Sequence, residues 1–398
     1  MDLNNIRVAT SETARDINRR VVLNLIRTHQ PISRADLARC SGLQRSTVSA
    51  ITEQLIEERW VREGAIGHLP RGRKPTFLHL NTDRAAVIGI NLRPGRTDLA
   101  LADLSGRFLA QQSISTGEHP KVFINELINH LRTLIKANPQ IDYEGIGISV
   151  PGRVDPKTQR LIFAPNLNWG EVDLKTPLER ATGLTVEMEN AATACALTEL
   201  WFGQQAEGAR NFATVTVSEG IGVGMIVNGE RVYGNSGLAG EFGHISIQDA
   251  GPQCRCGNLG CWEVFASNNA AIDHYMQVSV NGRSGKASTR GQIAAPSFED
   301  LLRLVEQGNL KALETVERMA RYLGQGLAMV IMSIAPDIIL LVGEVTTAWS
   351  HIEPIMWQEI NKRCRIPLKT KIVSSDHTTQ PRLRGAVALI LQKHFGLP

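Results

Sequence analysis

The pattern G-H-x9-C-x-C-G-x-x-G-C-x-E, from Gly243 to Glu263, constrains this chain more than any other stretch. It places one imidazole, His244, and three thiols, Cys254, Cys256 and Cys261, within eighteen residues. Thiolate sulfur and neutral imidazole are the preferred ligands of tetrahedral Zn²⁺. Gly257 and Gly260 let the short loop fold back so that the sulfurs converge on one point. Four protein ligands leave no coordination position open, so the ion is expected to shape a site and to activate no water. Glu241 and Glu263 bracket the cluster, and a metal that pins the loop also fixes these two carboxylates. Carboxylates held in a cleft are good acceptors for sugar hydroxyls.

The remaining sequence must accommodate that loop in something large. A chain of 398 residues, 42% of them hydrophobic, is globular and long enough for two or three domains. It has no run of eighteen apolar residues, and residues 1–28 carry charges throughout. Neither a membrane span nor a signal peptide is expected. Six cysteines, three of them in the metal-type cluster, suit a reducing cytoplasm where Cys40, Cys195 and Cys364 stay thiols. The formal charge of +4 is unevenly spread. Residues 1–84 hold 14 Lys+Arg against 9 Asp+Glu, whereas the remainder is nearly balanced at 29 against 30. Such asymmetry points to a nucleic-acid-binding module on a neutral body.

The N-terminal pattern agrees. Residues 15–29 read as an amphipathic helix with Ile17, Val21, Val22, Leu25 and Ile26 on one face. Ser33 is a good N-cap for a short helix over 34–40, and Ser41-Gly42 makes a tight turn. A longer helix over 45–59 follows, with Val48, Ile51, Leu55 and Ile56 inward. This is a helix-turn-helix whose second helix enters the major groove. Gln44, Arg45, Ser46, Thr47 and Ser49 at its start would reach base edges and phosphates. Residues 60–63 and 76–80 read as two strands of a wing joined by Pro70-Arg71-Gly72-Arg73-Lys74-Pro75. Arg71 and Arg73, with Lys74, form a basic strip that suits a narrow A·T-rich minor groove or the phosphates beside it.

From about residue 85 strands alternate with helices, giving an α/β architecture in two lobes with glycines clustered at strand ends. The expected elements are strands at 86–91, 97–103, 108–114, 145–150 and 186–189, and helices at 123–137, 191–203 and 313–335. A last strand is expected at 337–342. A hairpin is expected from strands 214–217 and 224–227, turning through Gly220-Ile221-Gly222. The domains are thus residues 1–84 and 85–398.

The zinc-type segment from Gly240 to Glu263 resembles the signature of the ROK family of repressors, open reading frames and sugar kinases. Val150 to Asp155, Pro165 to Trp169, Glu189-Asn190-Ala191-Ala192 and Asn211 to Gly229 look like its further blocks, in order. The resemblance spans roughly residues 84–398, and residues 14–80 are similar to the winged helix of its NagC/XylR-type repressor branch. It implies a two-lobed actin-like ATPase fold with a sugar between the lobes. Carried over by motif, Gly152, Arg153, Asn166, Asn190, Glu241, His244 and Glu263 would contact the sugar, His244 sharing itself with the zinc.

Kinases of this family open with D-x-G-G-T, where this chain has Asn91-Leu92-Arg93-Pro94-Gly95. Their second phosphate loop, G-T-G-x-G-G-G, appears here as Ser218-Glu219-Gly220-Ile221-Gly222-Val223-Gly224. A glycine pair near the adenosine becomes Gly343-Glu344, and the catalytic base of E-N-D-A becomes Ala191. Phosphoryl transfer needs a carboxylate to take the sugar hydroxyl's proton, and alanine takes none. No enzyme and no ATP are expected. The reading is a transcriptional repressor of carbohydrate genes that binds operator DNA and answers to a sugar or phosphosugar, as a homodimer or tetramer. The alternatives are a sugar kinase with a DNA-binding appendage, and a repressor controlled by a protein partner.

Overall fold

The computed structural model describes residues 11–66, 75–203, 205–206, 208–281 and 296–396. The chain begins with α1 (Ser11–His29), β1 (Ile32–Ser33), α2 (Arg34–Ser41) and α3 (Arg45–Glu57). β2 (Val61–Ile66) and β3 (Thr76–Leu80) complete a three-stranded antiparallel sheet of order β1–β3–β2. Ser33 caps α2 in a reciprocal capping box with Asp36, and Gly42 ends it in the left-handed region at φ 70°. Arg34 joins the parts, donating Nε to Thr52 Oγ1 at 3.1 Å and pairing with Glu63 at 2.9 Å. Val22, Leu23 and Ile26 of α1 are fully buried, while Ile17, Val21 and Leu25 are half-buried. Leu23 lies off the expected face because α1 is covered from two sides. Arg71, Arg73 and Lys74 lie outside the described residues.

The first lobe holds β4 (Ala85–Arg93), β5 (Gly95–Asp103), β6 (Phe108–Thr116), α4 (Pro120–Ala137) and β7 (Asp142–Val150). The short strands β8 (Arg153–Val154) and β9 (Leu161–Phe163) pair with each other, and α5 (Lys175–Thr182), β10 (Val186–Asn190) and α6 (Ala191–Phe202) follow. Its sheet runs β10–β7–β4–β5–β6, parallel across the first three strands and antiparallel beyond. β4 is buried on both faces: Ile88, Ile90 and Leu92 meet α4, whereas Ala85 and Val87 face the opposite way.

The second lobe holds β11 (Phe212–Val217), β12 (Ile221–Val227), β13 (Glu230–Arg231), α7 (Glu263–Ala266), α8 (Asn268–Asn281), α9 (Phe298–Glu306) and α10 (Leu310–Ile334). β14 (Ile338–Val342), α11 (Trp349–Arg363) and β15 (Lys371–Ser374) complete its sheet, of order β13–β12–β11–β14–β15. The hairpin differs from expectation. Val217 pairs directly with Ile221, so the turn is Ser218-Glu219-Gly220, and Ile221 and Gly222 are strand residues. Gly222 and Gly224 are small because α6 lies against them: a Cβ on Gly224 would sit 2.4 Å from the Ala192 carbonyl oxygen.

The last helix, α12 (Pro381–Phe395), returns to the first lobe. Glycine makes room for it, since a Cβ on Gly147 would lie 1.7 Å from the Ala386 carbonyl oxygen. Its C-terminal turn enters a core shared with the winged helix. Val22, Leu23, Ile26, Trp60 and Leu80 pack in one buried cluster with Leu197, Trp201, Val387 and Phe395. Trp60 meets Phe395 edge-on at 5.8 Å. Arg27 lies 4.4 Å over the Trp201 ring and donates Nη1 to its carbonyl at 2.7 Å. Arg84 covers Trp60 at 4.0 Å and pairs with Glu144, which also meets His394 at 3.0 Å. Among the described residues no helix is long and apolar enough to cross a membrane.

Candidate functional site

The metal-type loop folds on left-handed glycines. Gly257 has φ 98° and Gly260 φ 67°, and a Cβ on Gly260 would fall 1.7 Å from the Gln248 carbonyl oxygen. Cys254 receives its loop back through a bond from its own N–H to the Asn258 carbonyl at 2.8 Å. The four candidate ligand atoms then lie within 4.8 Å of one another. Cys256 Sγ and Cys261 Sγ are 3.7 Å apart, and Cys254 Sγ stands 3.6 Å from His244 Nδ1. Bond lengths of about 2.3 Å to sulfur and 2.0–2.1 Å to nitrogen give a tetrahedron with edges of roughly 3.5–3.8 Å. The donor set fits a tetrahedral metal ion. Burial pushes the Cys254 and Cys261 thiols up, Cys261 to about 11, so only a cation's charge makes the cluster a thiolate one. Burial also lowers His244, which favours the neutral imidazole that ligation needs.

His244 connects this cluster to a cleft between the lobes. Its Nδ1 faces Cys254, while its Nε2 lies 3.7 Å from Glu241 Oε2. Glu263, at the start of α7, accepts the Ile221 N–H at 2.9 Å, so the metal loop and the hairpin are tied through one carboxylate. Burial pushes Glu263 up to about 7 against that bond, and burial raises Glu241 against the pull of Arg153. From the first lobe come Gly152, Arg153, Asn166 and Asn190. These four line the same cleft as Glu241, His244 and Glu263.

Each has a local reason to be there. A Cβ on Gly152 would meet the Phe163 carbonyl oxygen at 2.4 Å, so this position admits only glycine's close approach. Asn190 caps α6 by accepting the Ala192 N–H at 2.8 Å and donates to the Gly152 carbonyl at 2.9 Å. Its side chain therefore also holds the cleft wall together. Asn166 accepts from Arg255 at 3.3 Å and bonds Glu263 across the lobes. Arg153 Nε is buried and unpartnered among the described residues. Such a donor costs free energy until something accepts from it.

Three contributors escaped the sequence reading. Arg382, on α12, lines the cleft and donates Nη2 to Ser218 Oγ at 2.8 Å, across 164 residues of sequence with no motif to announce it. Arg231 pairs with buried Glu189 at 3.1 Å behind Asn190. Arg255, between two of the candidate ligand cysteines, reaches Asn166. Ala191 stands in the cleft wall with only a methyl group to offer.

At the other end of the molecule, Gln44, Arg45 and Ser46 are exposed at the start of α3, and Thr47 and Ser49 are half-buried beside them. Gln44 is the N-cap yet makes no side-chain capping bond, which leaves its amide free for outside partners. The first turn of α3 carries no acidic residue to repel phosphate.

The comparisons agree with this geometry over both parts. The ROK family model matches residues 87–393, and the IclR helix-turn-helix domain model matches residues 21–64. The chain is similar to the xylose repressor of Bacillus subtilis (strain 168), 32% identical over 359 residues, covering 89% of each protein. Among solved structures it is similar to a ROK family transcriptional regulator described as a homologue of the Escherichia coli MLC protein. That similarity has a TM-score of 0.81, 28% identity, and covers 96% of this chain and 98% of the other. A ROK family glucokinase from Streptomyces griseus, solved with glucose and AMPPNP, matches 77% of this chain and 99% of its own at TM-score 0.68 and 26% identity. The kinase covers 77% of this chain, whereas the regulator structure covers 96%. With a matching two-lobed body and a helix-turn-helix ahead of it, the chain belongs to the ROK family, among its transcriptional regulators.

Proposed function

We propose that this regulator is a repressor of carbohydrate genes, that a sugar in the interlobe cleft is its effector, and that a structural Zn²⁺ on His244, Cys254, Cys256 and Cys261 holds the cleft in shape. The observation that carries the sugar reading is one cleft lined from both lobes by Arg153, Asn166, Asn190, Glu241 and Glu263, with the Arg153 Nε buried and unpartnered among the described residues. A cleft lined by donors and acceptors from both lobes suits a ligand rich in hydroxyls, and an absent hydroxyl would leave such groups unpaired. The named xylose repressor supports the ligand class. A thermal-shift screen against xylose, glucose and N-acetylglucosamine tests it, since a ligand of the folded state raises its melting temperature. Glu241→Gln is expected to weaken the responding sugar about ten- to a hundredfold, as for loss of a charged hydrogen bond of about 1.5–3 kcal/mol. An unchanged affinity would remove Glu241 from the site.

In the DNA-binding reading, two chains of a dimer, or of a tetramer built from dimers, place one α3 in each half of a pseudo-palindromic operator. Gln44, Arg45, Ser46, Thr47 and Ser49 meet the major groove, and Arg71, Arg73 and Lys74 the adjacent minor groove or phosphates. Arg45→Ala is expected to cost about 1–3 kcal/mol of operator binding. If the loss is equal on all sequences and the salt slope drops by about one, Arg45 contacts phosphate alone. No change at any salt would remove Arg45 from the DNA interface.

A further inference from the structure

Three of the four positions where this chain departs from the kinase pattern meet at one point. Arg93 ends β4 in the first lobe, Glu219 occupies the turn between β11 and β12, and Glu344 follows β14 in the second. The same Arg93 nitrogen, Nη2, donates to Glu219 Oε1 at 2.9 Å and to Glu344 Oε1 at 3.2 Å. Side-chain amides of α8 brace the Glu344 carboxylate and the Glu219 backbone. Asn268 donates to Glu344 Oε2 at 3.1 Å and Asn269 to the Glu219 carbonyl at 3.0 Å. Beside this triad Arg382 makes a second bond between the lobes, to Ser218. The three charged side chains are between 20% and 28% exposed, so solvent weakens their attraction only in part.

We infer that Arg93, Glu219 and Glu344 form an ionic latch that closes the phosphate end of the cleft, joining the lobes without a nucleotide and admitting only unphosphorylated ligands. Two carboxylates now stand in the loops whose kinase counterparts receive phosphate through glycine backbone. A phosphate entering there would meet both acids and would have to displace Arg93 from them, exchanging a formed pair for a crowded one. Burial pushes Glu219 up, yet Arg93 and Arg382 more than offset it and hold its carboxyl below the ordinary range. The acid is therefore charged at neutral pH and keeps its pair with Arg93. The latch does not depend on adding net stability, because a partly buried ion pair often breaks even against its desolvation. Its effect is geometric: removing Arg93 leaves two acids facing each other and removes one of the ties between the lobes. The restriction to neutral sugars rests on the sugar reading above; the joining of the lobes does not.

Hydrogen exchange on the full chain tests the latch without any ligand. In Arg93→Ala, amides in residues 217–222 and 343–348 are expected to exchange at least tenfold faster, with the metal loop unchanged. Arg93→Lys should recover most of that protection. The isosteric double variant Glu219→Gln/Glu344→Gln should behave like Arg93→Ala and guards against a folding defect in it. Wild-type exchange rates in both loosened forms would overturn the latch. A second arm titrates the wild-type protein with glucose and N-acetylglucosamine, with their 6-phosphates, and with AMP-PNP and Mg²⁺. Each phosphate-bearing probe is expected to bind at least tenfold more weakly than a responding sugar. A 6-phosphate that binds as tightly as its parent sugar, or measurable AMP-PNP binding, would overturn the closure. Silence of every sugar and phosphate would sink the sugar reading instead, and the exchange arm alone would then judge the latch.

Discussion

Phe395→Ala is expected to destabilise the chain by about 3–5 kcal/mol, the range for emptying a fully buried phenylalanine site. Phe395 is 0% exposed and touches Trp60 of the winged helix and Trp201 of α6. The loss should appear in both parts together, because the cluster contains residues from α1, β2, β3, α6 and α12. Denaturant unfolding followed by tryptophan fluorescence and by far-ultraviolet circular dichroism checks this. A winged helix that melts alone while the lobes keep their midpoint would show that the shared core contributes little, and a loss below about 1 kcal/mol would show that the site collapses around the gap.

Cys256→Ala should reduce bound metal from one ion per chain to near none, since removing one of four ligands from a thiolate-rich site removes most of its affinity. The consequence reaches the cleft through His244, whose two ring nitrogens face the cluster and Glu241 respectively. Without the ion the imidazole loses its orientation, and sugar response should be lost with it. Elemental analysis of protein never exposed to chelator measures the first effect, and sugar titration of the variant the second. A wild-type stoichiometry near zero would refute the metal centre. Full metal content in Cys256→Ala would remove Cys256 from the ligand set.

Much of this was legible in the sequence because it is written locally. Ser33 and Asp36 sit at capping-box spacing, Gly42 follows the helix that it ends, and three cysteines and a histidine lie within a single loop. The seven residues carried over from family motifs converge on one cleft because each motif sits at a strand or helix end facing the gap. What stayed hidden depends on contacts distant in sequence. Gly220, Ile221 and Gly222 look like a turn until α6 is placed against the strand, and only then do the glycines read as clearance. Leu23 falls off the helix stripe because a second surface, supplied by α12, covers it. Arg382 is an ordinary basic residue in an apolar helix until the fold brings it to Ser218. The departures Arg93, Glu219 and Glu344 were each visible as losses of kinase chemistry. Their mutual contact required the structure.

The helices α6 and α12 both begin at the cleft, at Asn190 and Arg382, and both end beneath the winged helix, at Trp201 and Phe395. A boundary drawn near residue 84 therefore separates the chain on paper but cuts through packed side chains. Reader and sensor would be exchangeable between relatives only as a set: a transplanted helix-turn-helix must bring, or find already present, partners shaped like Trp201, Glu144, His394 and Phe395. A change at the last turn of α12 in one lineage would thus demand a matching change in α1 or near Trp60. Inheritance should preserve this seam as a matched pair of surfaces even where operator sequence and sugar have both diverged.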